Sequence, residues 1–194
     1  TDNNNDGTLT LAPSGNTATS SAWVAGKYGS AFSFDGTDDY FSISDDSVLD
    51  ITDAITISAW VKPITISGNK WFAAKTITYE LGFSASKIDC SLRINNVWAT
   101  NITGKTTPQA GEWQHISCTY DGNFAIVYLN GKEDAKVYKN GSITANDNSL
   151  FIGSTSAANN FYDGLVDDVR IYNYARTPEQ VQLDYNAGLS THFK

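Results

Sequence analysis

Trp113-Gln-His-Ile-Ser-Cys-Thr-Tyr120, Asp121-Gly122-Asn123, Phe124-Ala-Ile-Val-Tyr-Leu129 and Asn130-Gly131 follow one another without interruption. The two longer runs are rich in β-branched and aromatic residues. The dipeptides between and after them are preferred centres of tight hairpins, because both central residues of such turns need positive φ. The stretch therefore reads as a meander: Trp113 to Tyr120, then Phe124 to Leu129, then a third strand beyond Asn130-Gly131. Outward from it the same grammar repeats. Asp35-Gly36, Asn140-Gly141 and Asp163-Gly164 punctuate further runs at Tyr28–Phe34, Tyr40–Ile43, Thr56–Lys62, Trp71–Lys75, Tyr79–Ser84, Ile88–Ile94, Ser149–Ile152 and Leu165–Tyr172. About a dozen short strands at regular turn spacing predict an all-β, two-sheet antiparallel sandwich or jelly roll. One short C-terminal helix is expected over Thr177–Gly188, with Thr177 as N-cap, Pro178 at the first helical position, Gln180 completing a capping box and Gly188 as the stop.

The chain of 194 residues suits a single domain spanning 1–194. It has no long apolar run, so membrane insertion is not expected. The first residue is not Met, in keeping with a trimmed mature chain or an excised domain. Lys and Arg number 13 against 21 Asp and Glu, for a net charge of −8, which argues against nucleic acid and anionic membranes as partners. Cys90 and Cys118 both sit in apolar strand-like runs. They can pair across the sandwich or between strands, or each can be a small buried hydrophobe; no spacing suited to zinc is present.

Two acidic stretches carry the metal question. In Gly164-Leu-Val-Asp-Asp-Val-Arg-Ile-Tyr172, regular alternation puts Asp167 on one face with Leu165, Val169 and Ile171. An ionised carboxylate there needs compensation, either from a hard cation such as calcium or from backbone N–H groups and a pairing near Arg170. Asp35, Asp38 and Asp39 lie in and after an early turn, where Asx-turn bonds or plain solvation are the simpler readings. Asp2-Asn-Asn-Asn-Asp-Gly7 matches the start of an EF-hand loop, but Pro13 stands where a bidentate Glu belongs, so a turn is the preferred reading.

At these residues the chain resembles the laminin-G-like (LamG-like jellyroll) branch of the concanavalin A-like lectin/glucanase superfamily. The matching stretches are Gly26-Lys-Tyr-Gly-Ser-Ala-Phe-Ser-Phe-Asp-Gly36, Asp39-Tyr-Phe-Ser-Ile43, Thr56-Ile-Ser-Ala-Trp-Val-Lys-Pro63, Gly111-Glu-Trp-Gln-His-Ile-Ser117, Tyr128-Leu-Asn-Gly131, Ile152-Gly153 and Gly164–Tyr172. The resemblance implies two antiparallel sheets, one concave, and often a structural calcium. In related members a strand reading Asp-x-Val-Arg-Val-Tyr supplies a calcium ligand, and that pattern falls on Asp167–Tyr172. Asp167 is thereby the implied calcium ligand, with Asp35 or the Gly36 carbonyl as partners and Asp39 as a further candidate.

This fold hosts glycosidases, lyases, lectins and adhesion modules, so the site must decide. Retaining glycosidases need two carboxylates about 5 Å apart, and none of the four glutamates (Glu80, Glu112, Glu133, Glu179) lies in an E-x-D-x-E pattern. His115 sits in the Trp113-x-His115 motif and reads as strand packing; His192 lies in the tail. The sequence thus points to a non-catalytic, lectin-like module of a secreted or cell-surface protein, binding a polysaccharide or oligosaccharide. Candidate ligand-binding residues are Trp98, Phe161, Trp71, Tyr79, Asn96 and Asn160, with core packing as the competing reading for Trp71 and Tyr79. The rival is an adhesive domain with protein partners, and a weaker one a polysaccharide-degrading enzyme.

Overall fold

The computed structural model describes residues 7–11, 22–99 and 102–187. Its strands form two antiparallel seven-stranded sheets. The first runs in the order β1 (Gly7–Thr10), β4 (Tyr40–Ile43), β13 (Leu150–Ile152), β6 (Lys70–Lys75), β7 (Tyr79–Ser84), β8 (Lys87–Ile94) and β9 (Val97–Ala99). The second runs β12 (Lys132–Tyr138), β11 (Phe124–Leu129), β10 (Gln114–Tyr120), β5 (Ile55–Pro63), β14 (Asp163–Tyr172), β3 (Ser30–Asp35) and β2 (Trp23–Ala25). One helix, α1 (Pro178–Ala187), follows. The sandwich and its single C-terminal helix are those expected. Among the described residues no helix is long and apolar enough to cross a membrane.

Period-2 alternation builds the core. In β8, Ile88, Cys90, Leu92 and Ile94 are buried between the sheets while Lys87, Asp89, Ser91 and Arg93 face out. Ile55, Ile57, Ala59 and Val61 of β5 and Ile116, Cys118 and Tyr120 of β10 meet them from the other sheet. Each fully buried side chain such as Ile57 or Leu81 contributes about 1.5–3 kcal/mol over the exposed state. Cys90 and Cys118 are joined, Cα–Cα 6.2 Å, so a disulfide ties β8 of one sheet to β10 of the other.

Turns follow the dipeptide signals where glycine or asparagine supplies positive φ, as at Asn130 (φ 51°) and Gly131 (φ 75°) between β11 and β12. They also occur where no such signal exists: Ala85 and Ser86 turn β7 into β8 at φ 48° and 65°. The short edge strands β1, β2 and β9 carry too few residues to show alternation, so the sequence gives no clear sign of them.

The outer face of the second sheet is covered. The predicted capping box forms, with Gln180 N–H donating to Thr177 Oγ1 (3.3 Å) and Thr177 N–H to Gln180 Oε1 (3.0 Å). Val181 of α1 is fully buried, and Tyr185 stacks on Trp60 of β5 at 5.7 Å. Trp60, Ser58, His115, Ser117 and Tyr128 are all enclosed on this face. Among the described residues, no helix covers the outer face of the first sheet.

Candidate functional site

At the end of β3 the chain turns through Asp35-Gly36. Asp35 Oδ1 accepts from Thr37 N–H (2.8 Å) and Asp38 N–H (3.4 Å), the Asx-turn expected, and Asp39 Oδ2 accepts from Asp35 N–H (3.3 Å). Asp35, Asp38 and Asp39 each bring a carboxylate oxygen to within 4.8 Å of the others, and Asp39 is buried. Register puts Asp163 of β14 directly opposite Asp35. Asp163 Oδ2 accepts from Thr65 Oγ1 at 3.1 Å, and its Cβ lies 2.8 Å from where a Cβ on Gly36 (φ 77°) would stand, so residue 36 must be glycine. Like charges directly opposed across strands repel, and a set of convergent carboxylate oxygens with one member enclosed fits a hard, oxygen-ligated cation. In sequence Asp163 reads only as a turn residue; nothing local signals that it faces Asp35 across the sheet.

Asp167 does not belong to this group. Asp163 opposes Asp35, and Asp167 lies four residues further along β14, ~13 Å away at strand rise. Regular alternation fails here because β14 carries a bulge between Asp167 and Arg170, with Asp168 at φ 50°. Before the bulge Val166 faces the core; after it Val169 and Ile171 do. Asp167 therefore leaves the apolar face, and its Oδ2 accepts the Tyr28 backbone N–H at 2.7 Å. The backbone alternative is the one realised. A Cβ on Gly26 would stand 2.6 Å from that oxygen, which explains the glycine beside Tyr28.

The six ligand candidates separate into three places. Tyr79 is withdrawn: its ring is in the core, 1 % exposed, and its hydroxyl donates to the Leu49 carbonyl at 3.1 Å. Trp71 lies against Gly82, its Cε3 2.8 Å from where a Cβ on that glycine would stand, and is 6 % exposed, so little of its ring can meet a ligand. Its backbone N–H donates to the carbonyl of Asn160 (3.3 Å), an exposed residue whose Nδ2 donates to Thr155 Oγ1. Phe161 is half-buried beside Tyr40 (6.4 Å between centroids), and Tyr40 in turn meets Phe151 (5.6 Å), forming an aromatic row on the first sheet's outer face that no local sequence signal marks. Trp98 and Asn96 lie at the opposite edge. Asn95 and Asn96, at φ 50° and 66°, turn β8 into β9, and Trp98 is 38 % exposed. Trp98, Asn95, Val97, Lys139 and Asn140 line a pocket of about 310 Å³. Lys139 and Asn140 come from beyond β12, some forty residues downstream in the chain, so local sequence could not reveal them.

Residues 35–182 match the family model described as the concanavalin A-like lectin/glucanases superfamily. The chain belongs to that superfamily. A search of the curated proteins finds no match. Among solved structures, one neighbour is domain 4 of AbnA, a GH43 extracellular arabinanase from Geobacillus stearothermophilus, solved in complex with arabinotriose. It is 24 % identical with a TM-score of 0.70, covering 92 % of this chain and 87 % of that one. The binding domain of botulinum neurotoxin serotype G (12 %, TM-score 0.67, 96 % of this chain and 47 % of that one) is another. So is the binding domain of Paraclostridial Mosquitocidal Protein 1 (13 %, TM-score 0.68, 85 % and 45 %). At these identities the likeness is one of fold.

Within this concanavalin A-like sandwich a buried glutamate and a buried histidine are displaced in opposite directions. Glu80 of β7 is held up at about 7, chiefly by burial, with a backbone hydrogen bond from Ile77 opposing and Asp89 adding to the rise. His115 of β10 is pushed down to about 4, first by burial and then by Arg170 and Arg176. They lie on the outer faces of different sheets. Asp2–Gly7 of the loop-like motif lies, but for Gly7, outside the described residues, as does His192.

Proposed function

We propose that the chain is a non-catalytic carbohydrate-binding module of a secreted or surface protein, braced by a structural calcium ion. The observation that carries this reading is the pocket at β9, where a partly exposed indole stands among amide and ammonium groups. A sugar ring offers an apolar C–H face and a rim of hydroxyls. An aromatic plane with a few polar groups beside it meets both. Trp98 is the platform, Asn95, Asn140 and Lys139 supply rim contacts, and Asn96 stands on the turn beside them. Phe161 and Asn160, with the Tyr40–Phe151 row, form a second contact region on the same sheet. The arabinotriose bound to the neighbour of similar fold supports the ligand class, and the Cys90–Cys118 disulfide suits an oxidising, extracellular setting.

Calcium is assigned to Asp35, Asp38 and Asp39 with the Gly36 carbonyl, at the turn facing Asp163. Bound there, the ion supplies charge neutralisation and ties the Asp35–Asp39 turn together. Catalysis is set aside on the glutamates: Glu80 is occupied by the Ile77 backbone, while Glu112, Glu133 and Glu179 are exposed and scattered. A glycan array run with calcium and with EDTA tests the reading. Saturable binding to one polysaccharide family is expected. Silence across the array together with capture of a protein partner would favour the adhesive alternative, and release of new reducing ends from a polysaccharide would contradict the non-catalytic one.

A further inference from the structure

The chain is rich in acids, 21 Asp and Glu against 13 Lys and Arg, yet the pocket at β9 is lined by the ammonium of Lys139 and by no carboxylate. A second cation stands beside the same indole. Antiparallel register sets Arg93 of β8 directly opposite Trp98 of β9, so the two side chains share a face of the first sheet. Arg93 Nε donates to the Asn96 carbonyl at 3.2 Å. This holds the guanidinium at the turn, and its two terminal nitrogens meet no acceptor among the described residues. Among those residues neither Arg93 nor Lys139 is ion-paired, whereas Lys75, Arg170 and Arg176 are each met by aspartate. The acids on the outer face of β7 and β8 are committed elsewhere. Asp89 accepts from Ser91 Oγ (2.8 Å) and Thr103 Oγ1 (2.9 Å), and Glu80 is taken by the Ile77 backbone.

We propose that the saccharide taken at Trp98 is acidic, an oligosaccharide containing uronic acid whose carboxylates meet Arg93 and Lys139; this rests on the sugar-binding reading of the pocket. A guanidinium fork receives a carboxylate through two parallel N–H donors, and such charge-assisted bonds are roughly twice as strong as neutral ones. Lys139 adds a point charge from the other side of the indole. Two cations flanking one ring suit a ligand that carries a charge on successive sugar units rather than a single small anion. The net charge of −8 disfavours densely charged polyanions. A uronate, with one charge per ring and an apolar C–H face for Trp98, meets both conditions.

Isothermal titration of the whole chain with trimers of galacturonate, glucuronate and mannuronate, each beside its neutral carboxyl-reduced counterpart, tests this. At least one uronate trimer is expected to bind, and its reduced counterpart at least about tenfold more weakly, the loss of one charge-assisted contact. Added salt should weaken the uronate more than its counterpart. Arg93→Gln and Lys139→Gln should each narrow the difference within the pair; both side chains are half-buried at the surface, and unchanged melting curves confirm that the variants fold. Equal affinity within every pair, or tighter binding of a neutral member, would overturn the proposal and leave the sugar-binding reading standing. Binding of none of the six would overturn it as well. A neutral glycan bound on the array would then show that the broader reading survives, and silence there would end both.

Discussion

His115 and Glu80 are both enclosed, and burial moves their protonation in opposite senses. His115 is neutral when folded, with its pKa pushed to about 4 from an unfolded value near 6.5. Its full contribution is present above pH 6.5 and is lost as pH falls towards 4, by roughly 3 kcal/mol. Glu80 has a folded pKa of about 7 against an unfolded 4.5. Its contribution is full below pH 4.5 and is lost as pH rises through 7, by a similar roughly 3 kcal/mol. The two slopes oppose each other over the same window, so wild-type stability should vary little between pH 4.5 and 7. Urea unfolding separates them. His115→Gln should gain stability relative to wild type on acidification, and Glu80→Gln should gain on it above pH 7. A second residue-scale outcome concerns the acids. Asp167→Ala leaves the Tyr28 N–H unanswered and should cost about 1–3 kcal/mol, while the chelator-sensitive part of the melting temperature stays. Asp39→Asn should remove that part. Melting curves with calcium and with EDTA, on both variants, check the assignment; loss of the calcium response in Asp167→Ala instead would contradict it. Asp167 is misplaced by sequence because period-2 reasoning cannot see a bulge, and the only local trace of this one is an Asp-Asp pair that tolerates positive φ.

Between elements, the disulfide is the strongest single connection, joining β8 to β10 through the core. With the cysteines 28 positions apart, chain-entropy arguments put its contribution at about 3–4 kcal/mol. Reduction, or the Cys90→Ala/Cys118→Ala double variant, should lower the urea midpoint and steepen the transition, because the unbridged unfolded chain is less compact and exposes more surface. The long central strands were legible because β8 and β10 alternate cleanly, β11 is an unbroken β-branched and aromatic run, and the meander's turns are Asn-Gly or Asp-Gly. The helix was legible from its capping box. What stayed hidden were the three-to-four-residue edge strands, too short for a period to emerge, and the Ala85-Ser86 turn, whose positive φ is imposed by pairing across β7 and β8 and by neither residue's preference. Cysteine pairing was equally open in sequence, since apolar surroundings suit a bridged and an unbridged thiol alike.

The molecule as a whole uses its two outer faces differently. One is closed by α1 over Trp60, His115 and Tyr128, and the other carries the aromatic row at Tyr40, Phe151 and Phe161 and ends in the Trp98 pocket. Trp98 was legible because it follows Asn95-Asn96 at a turn, where a large ring has little to cover it. Its companions were not, since Lys139 and Asn140 reach the pocket only through the pairing of distant strands. Sugar recognition on this face stands or falls with that pocket. The most direct measurement is the affinity of Trp98→Ala, set against wild type by isothermal titration with the oligosaccharide that wild type binds best. Because the side chain is partly exposed, the variant should melt as wild type does and bind at least about tenfold more weakly, the loss of one well-placed ring contact. Unchanged affinity in a folded Trp98→Ala protein would contradict the assignment of sugar recognition to this face.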